Sequence, residues 1–234
     1  MDFRKKSDKD ARDKAWMQQQ GLFSNPYAED TKEPRKSYLI ICEGKNTEYY
    51  YFTAFPEASN MAVVERDKNS KTSLVDYALK RCKEDQFDGY ETWCVFDMDI
   101  KPDEGATQPE DFNNAILKAE AAGLKVAWSN DSFELWFLLH FRYLETALTR
   151  HEIYPKIREE WERQSLVIES SKDLKGVEFC KDHYARHKDL LDTAIKNARR
   201  LHQSYGSRTD YAAQCPCTTV YLLVEELLEN LERG

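Results

Sequence analysis

Two short apolar runs that stop at acids constrain this chain more than anything else in it. Ser37-Tyr-Leu-Ile-Ile-Cys42 is nearly unbroken and ends at Glu43-Gly44, and Thr92-Trp-Cys-Val-Phe96 ends at Asp97-Met98-Asp99. An apolar run of this length without alternation suits a strand covered on both faces, as in a parallel sheet between helices. Further strands are expected at 61–65 and 124–128, with helices at 47–55, 72–86 and 110–122. Ser73 or Thr72 would cap the second helix, and Gly123 would close the third. The alternation of strand and helix predicts an α/β core over 37–150, a mostly parallel sheet flanked by helices. Helical spacing at 129–141, 154–164, 188–202 and 218–231 extends the pattern, so 151–234 is expected to form a helical C-terminal extension packed on the core. Residues 1–36 mix basic and acidic side chains with weak periodicity and are expected to form a charged arm.

At 234 residues the chain can bury a substantial core without disulfides. Its longest apolar run, 135–141, is interrupted by His140 and falls far short of the ~20 residues needed to span a bilayer. Met1-Asp2-Phe3-Arg4-Lys5-Lys6 lacks the apolar stretch of a signal peptide. A cytoplasmic protein without a membrane partner is the expectation. The six cysteines include no Cys-x-x-Cys pair. Cys180-x-x-His183-x-x-x-His187 with Cys215-x-Cys217 could together supply four zinc ligands. Neither half has standard finger spacing, and two buried thiols beside a helix carrying histidines account for the pattern more simply. The net charge of −8 excludes tight nucleic-acid binding over a broad basic surface. Any action on phosphates would need a divalent cation or a local basic patch.

The acids at the strand ends meet that condition. Ligands of open parallel sheets bind beyond the carboxyl ends of the strands. Three carboxylates brought together there repel one another unless a cation lies between them. Hard oxygen donors suit Mg²⁺ or Mn²⁺. Gly44 would let the backbone approach a phosphate, and Lys45 could pair with it. Read blandly, the same acids are ordinary loop residues after strands. A haloacid-dehalogenase-like phosphatase also uses Asp-x-Asp, but after its first core strand. Here the first strand ends in Glu and Asp-x-Asp follows the third, an order that fits a Toprim domain better. No Gly-x-x-x-x-Gly-Lys-Ser/Thr loop is present for nucleotide hydrolysis.

Four segments then point to one family. Ile40-Ile-Cys-Glu43-Gly-Lys-Asn-Thr-Glu48-Tyr-Tyr-Tyr-Phe52 resembles the opening of RloB-like proteins, and Val95-Phe-Asp97-Met-Asp99 their Asp-x-Asp strand. Ala127-Trp-Ser129-Asn130-Asp-Ser-Phe133-Glu134-Leu-Trp136 is similar to their Ser-Asn-x-x-Phe-Glu-x-Trp segment. Pro216-Cys-Thr218 before an apolar helix resembles the closing Asn-Pro-x-Thr element, with Cys215 in place of the Asn. Asn46 stands where a Lys is usual. The resemblance implies a Toprim nuclease of anti-phage defence that cleaves phosphodiester bonds of RNA (tRNA included) or DNA, with an ABC-type ATPase partner. It implies Glu43 as general acid/base and Asp97 and Asp99 as Mg²⁺ ligands, joined by Glu134 at a second metal. Glu134 could equally close a capping box with Asp131. Ser129 and Asn130 could donate to a phosphate or cap the helix. Glu48 is expected to support the site without contacting the metal. His140 is expected in the core, and Tyr49 to Phe52 either stack bases or pack internally. A non-catalytic nucleotide- or partner-binding module is the rival, and homo-oligomerisation stays open.

Overall fold

In the computed structural model the five residues of β1, Tyr38–Cys42, are all buried, which explains why the run is apolar throughout. The structure describes residues 35–44, 46–55, 62–66, 70–99, 107–166, 174 and 176–233. Residues 1–34 of the expected charged arm, and Lys45, lie outside them. Residues 35–232 form one compact unit. Successive strand residues point to opposite faces, so Tyr38, Ile40 and Cys42 enter one core and Leu39 and Ile41 the other.

The remaining elements follow in chain order: α1 Thr47–Thr53, β2 Ala62–Arg66, α2 Lys71–Arg81, β3 Glu91–Asp97, α3 Thr107–Ala121, β4 Lys125–Asn130 and α4 Glu134–Leu139. Then come α5 Arg150–Arg163, α6 Val177–Arg186, α7 Leu191–Ser204, β5 Cys217–Thr218 and α8 Val220–Glu232. The sheet order is β2-β1-β3-β4-β5. The first four strands are parallel and β5 runs antiparallel to β4. This is the α/β architecture with a mostly parallel sheet that the sequence predicts.

The two faces are covered unequally. Leu74, Val75 and Ala78 of α2 and Phe112, Ala115, Ile116 and Ala119 of α3 pack on Leu39, Ile41, Cys94 and Phe96. The other face takes α1 and α4 to α8. In α7 the buried positions Leu191, Ala194, Ile195, Ala198 and Leu201 follow helical spacing. The C-terminal third is more than an extension, since β5 completes the sheet. Two residues carry too little pattern to read as a strand, and 217–218 were expected to lead into a helix. Ser70, rather than Ser73 or Thr72, caps α2: its side chain accepts from Ser73 N–H. Among the described residues no helix is long and apolar enough to cross a membrane.

Candidate active site at the carboxyl edge of the sheet

β1 and β3 lie side by side at the sheet centre with Cys42 opposite Val95. Glu43 N–H donates to Val95 C=O at 2.9 Å, continuing the ladder one step past β1. Glu43 and Asp97 therefore leave the same edge, but the period of two sends them to different faces. Glu43 follows the Leu39 and Ile41 face and meets Lys71, the first residue of α2, at 3.4 Å. Asp97 follows the Trp93 and Val95 face, and its Oδ2 accepts from Phe133 N–H at 3.2 Å just ahead of α4. Asp99 stands beyond the strand in the left-handed region, with φ of 48°. That conformation turns the chain back, and Asp99 N–H donates to Asp131 C=O at 3.0 Å.

These placements put the acids in electrostatic reach of one another. Burial holds the Asp97 carboxyl well above the usual range; Glu48, Glu43 and Asp99 push the same way and Arg150 opposes them. Burial also raises Glu43, against the pull of Lys71 and with help from Asp99 and Asp111. Asp111 of α3 is itself committed to the start of α2, accepting from Lys71 N–H at 3.0 Å and Thr72 N–H at 3.2 Å. Glu48 of α1 is buried, and its carboxylate fills the space above Gly44, where an added Cβ would collide with Oε2. Gly44 leaves room for that acid, which a Cβ there would push aside.

Two cations that sequence spacing did not mark complete the site. Arg150, at the start of α5, contacts Asp99 Oδ1 at 2.5 Å and Asp97 Oδ2 at 3.6 Å. Lys71 serves Glu43. Only their placement in space identifies them, because each partner lies far away in the chain. Glu134 is buried inside α4 and accepts from Thr47 Oγ1 at 3.4 Å and Tyr154 OH at 3.5 Å. It forms no capping box with Asp131, whose Oδ2 accepts from Arg150 N–H at 3.2 Å. Ser129 Oγ and Asn130 Nδ2 are both engaged, while Asn130 Oδ1 is buried with no hydrogen-bond partner. Ser129 Oγ bonds Thr218 Oγ1 at 2.8 Å across the β4–β5 edge, and Asn130 Nδ2 donates to Ala212 C=O at 2.8 Å in the turn Tyr211–Ala213.

The donor chemistry fits a hard divalent cation. Glu43 Oε2 is buried with no hydrogen-bond partner, and every acid at the edge offers carboxylate oxygen. Among the described residues, however, no three acids stand in the spacing of a formed metal site; the guanidinium of Arg150 lies between Asp97 and Asp99 instead. The zinc set fails outright. Cys180 belongs to the core on one face of the sheet and Cys217 to the core on the other. His183 and His187 pack among Phe137, Phe141, Trp161 and His140. His140 is the core histidine expected, its Nδ1 bonded to Trp136 C=O at 2.9 Å. Tyr51 and Phe52 are fully buried among aromatic rings and unavailable to a base.

No curated protein and no solved structure matches the chain. The family model described as RloB-like protein matches residues 38–227, from the first residue of β1 into α8. The match runs through every element that builds the carboxylate edge, and the chain belongs to the RloB-like protein family.

Proposed function

We propose that this chain is a metal-dependent nuclease that cleaves phosphodiester bonds of RNA, tRNA included, or DNA. Its setting is cytoplasmic anti-phage defence under the control of an ATPase partner. The observation that carries the reading is the gathering of Glu43, Glu48, Asp97 and Asp99 at one sheet edge, flanked by Lys71 and Arg150. Burying several like charges costs stability and is sustained at sites of function. Asp97 and Asp99 would hold Mg²⁺, with Glu134 as a further oxygen donor, and the ion would offset charge on the phosphoryl group. Glu43, its carboxyl raised towards neutrality by burial, is suited to take a proton from the attacking water or return one to the leaving oxygen. Lys71 fixes which way that carboxylate turns. An external ATPase agrees with the lack of a Walker loop in this chain.

Arg150 favours a second reading. Its pairing with Asp97 and Asp99 already neutralises part of the site, as a non-catalytic nucleotide- or partner-binding module would require. Sequencing of RNA and DNA ends after induced expression separates the two. The nuclease reading requires new ends with the wild type and none with Asp97→Ala or Glu43→Ala. Identical end profiles and toxicity in all three would leave the binding module.

A further inference from the structure

The guanidinium of Arg150 is held where it lies by a short chain of contacts. Its own N–H is fixed by Asp131 Oδ2 at 3.2 Å, while Asp131 C=O accepts from Asp99 N–H at 3.0 Å. The start of α5 and the turn bearing Asp99 are thereby tied to the same residue. From that anchor Nη2 reaches both Asp99 and Asp97. A divalent cation would need those same oxygens, and two positive charges a few ångströms apart in a partly buried pocket repel strongly. We propose that Arg150 is an exchangeable counter-ion: it holds Asp97 and Asp99 together without metal and must release them when a divalent cation binds. This rests on the metal-dependent reading above and adds that Arg150 sets the metal affinity.

The residue type suits the role. Arginine stays charged at every accessible pH, and its fork matches carboxylate or phosphate equally. The Arg150 side chain is 21% exposed, so solvent reaches it and it has a way out. Once displaced, it would remain beside the cleavage site with its N–H donors turned to the charge of an incoming phosphate. Arg150 is therefore a positioning residue whose partner changes from acid to substrate.

Mn²⁺ titrations of the full chain, read by calorimetry and by the EPR signal of free Mn²⁺, test this without substrate. Arg150→Gln should bind Mn²⁺ about tenfold more tightly than wild type, the ratio that corresponds to about 1.4 kcal/mol. It should melt at a lower temperature without metal and recover when saturated with Mn²⁺. Arg150→Lys keeps the charge but loses the fork, and should tighten binding about threefold, a shift of well under 1 kcal/mol. Equal or weaker binding by a folded Arg150→Gln, with wild type binding normally, overturns the counter-ion role and leaves the metal reading intact. If Arg150→Gln does not fold, unchanged binding by Arg150→Lys overturns it in the same way. Absence of Mn²⁺ binding by all the proteins removes the metal reading, and the inference falls with it.

Discussion

Two of the regions where the described residues bury ionisable groups handle them in opposite ways. At the sheet edge, Asp97 keeps 13% of its side chain exposed and faces Arg150, while Glu43 faces Lys71. Between α4 and α6, His140 is sealed against Trp136 and His183, His183 lies among Phe137, Trp161 and Phe179, and His183 has no hydrogen-bond partner at either ring nitrogen. A histidine escapes the cost of burial by losing its proton. Burial accordingly lowers His140 to about 3 and pushes His183 well down. The carboxylates at the edge shift the other way, raised towards the protonated form by burial, and they are also set against cations. The first region stores charge and the second dispenses with it. That difference sets the edge apart as the place where partly buried acids and cations meet.

The strongest way to break the comparison is Asp97→Asn. Cleavage should fall by at least about two orders of magnitude, measured on labelled polynucleotide with Mg²⁺ and with a chelator control. The same variant should melt higher than wild type at pH 8 without metal, because a carboxyl raised on folding costs stability above its folded pKa. That advantage should shrink as the pH falls towards the unfolded pKa of about 3.9, and vanish below it, where Asp97 is protonated in both states. A variant that melts lower at pH 8 would show that the acid is paired well enough to stabilise the fold.

The histidines predict the opposite sign. Their folded pKa values lie below the unfolded value of about 6.5, so their neutral forms favour the fold above that pH. As pH falls from 6.5 towards 4, each of His140 and His183 should cost about 1.4 kcal/mol per pH unit. Urea unfolding of wild type and His183→Leu across this range reads the slope, which should be shallower in the variant. Equal slopes would mean that the cluster already carries a proton at neutral pH.

Two smaller effects sharpen the contrast. Lys71→Met removes the partner of Glu43, and should cost about 1–3 kcal/mol in chemical denaturation at pH 7.5 because a part-buried carboxylate is left alone. His183→Leu, at pH 7.5, should change stability by no more than about 1 kcal/mol in either direction, since no hydrogen bond is lost. A large loss there would assign the histidine cluster a structural bond not seen between its rings.

Much of this molecule was legible locally. The unbroken apolar runs gave buried parallel strands, and the residues ending them gave Glu43, Asp97 and Asp99 at one edge, because a strand's direction and its last residue are neighbours in the chain. Gly44 was noticed, but for a phosphate; its closeness to Glu48 depends on how α1 docks. Ser129 and Asn130 read as donors to a ligand, but Ser129 Oγ fastens a two-residue strand that no periodicity can announce, and Asn130 Nδ2 bonds Ala212 C=O. Cys180 and Cys217 looked like halves of one zinc site until the sheet came between them.

By itself, then, the sequence determined the layered α/β core and which edge of the sheet carries acid, since burial pattern and strand parity are written residue by residue. Only the tertiary structure decided what balances that acid. Arg150 and Lys71 are ordinary first residues of helices until the chain folds, and their pairing with Asp97, Asp99 and Glu43 exists because packing brings distant charges together where water no longer screens them fully.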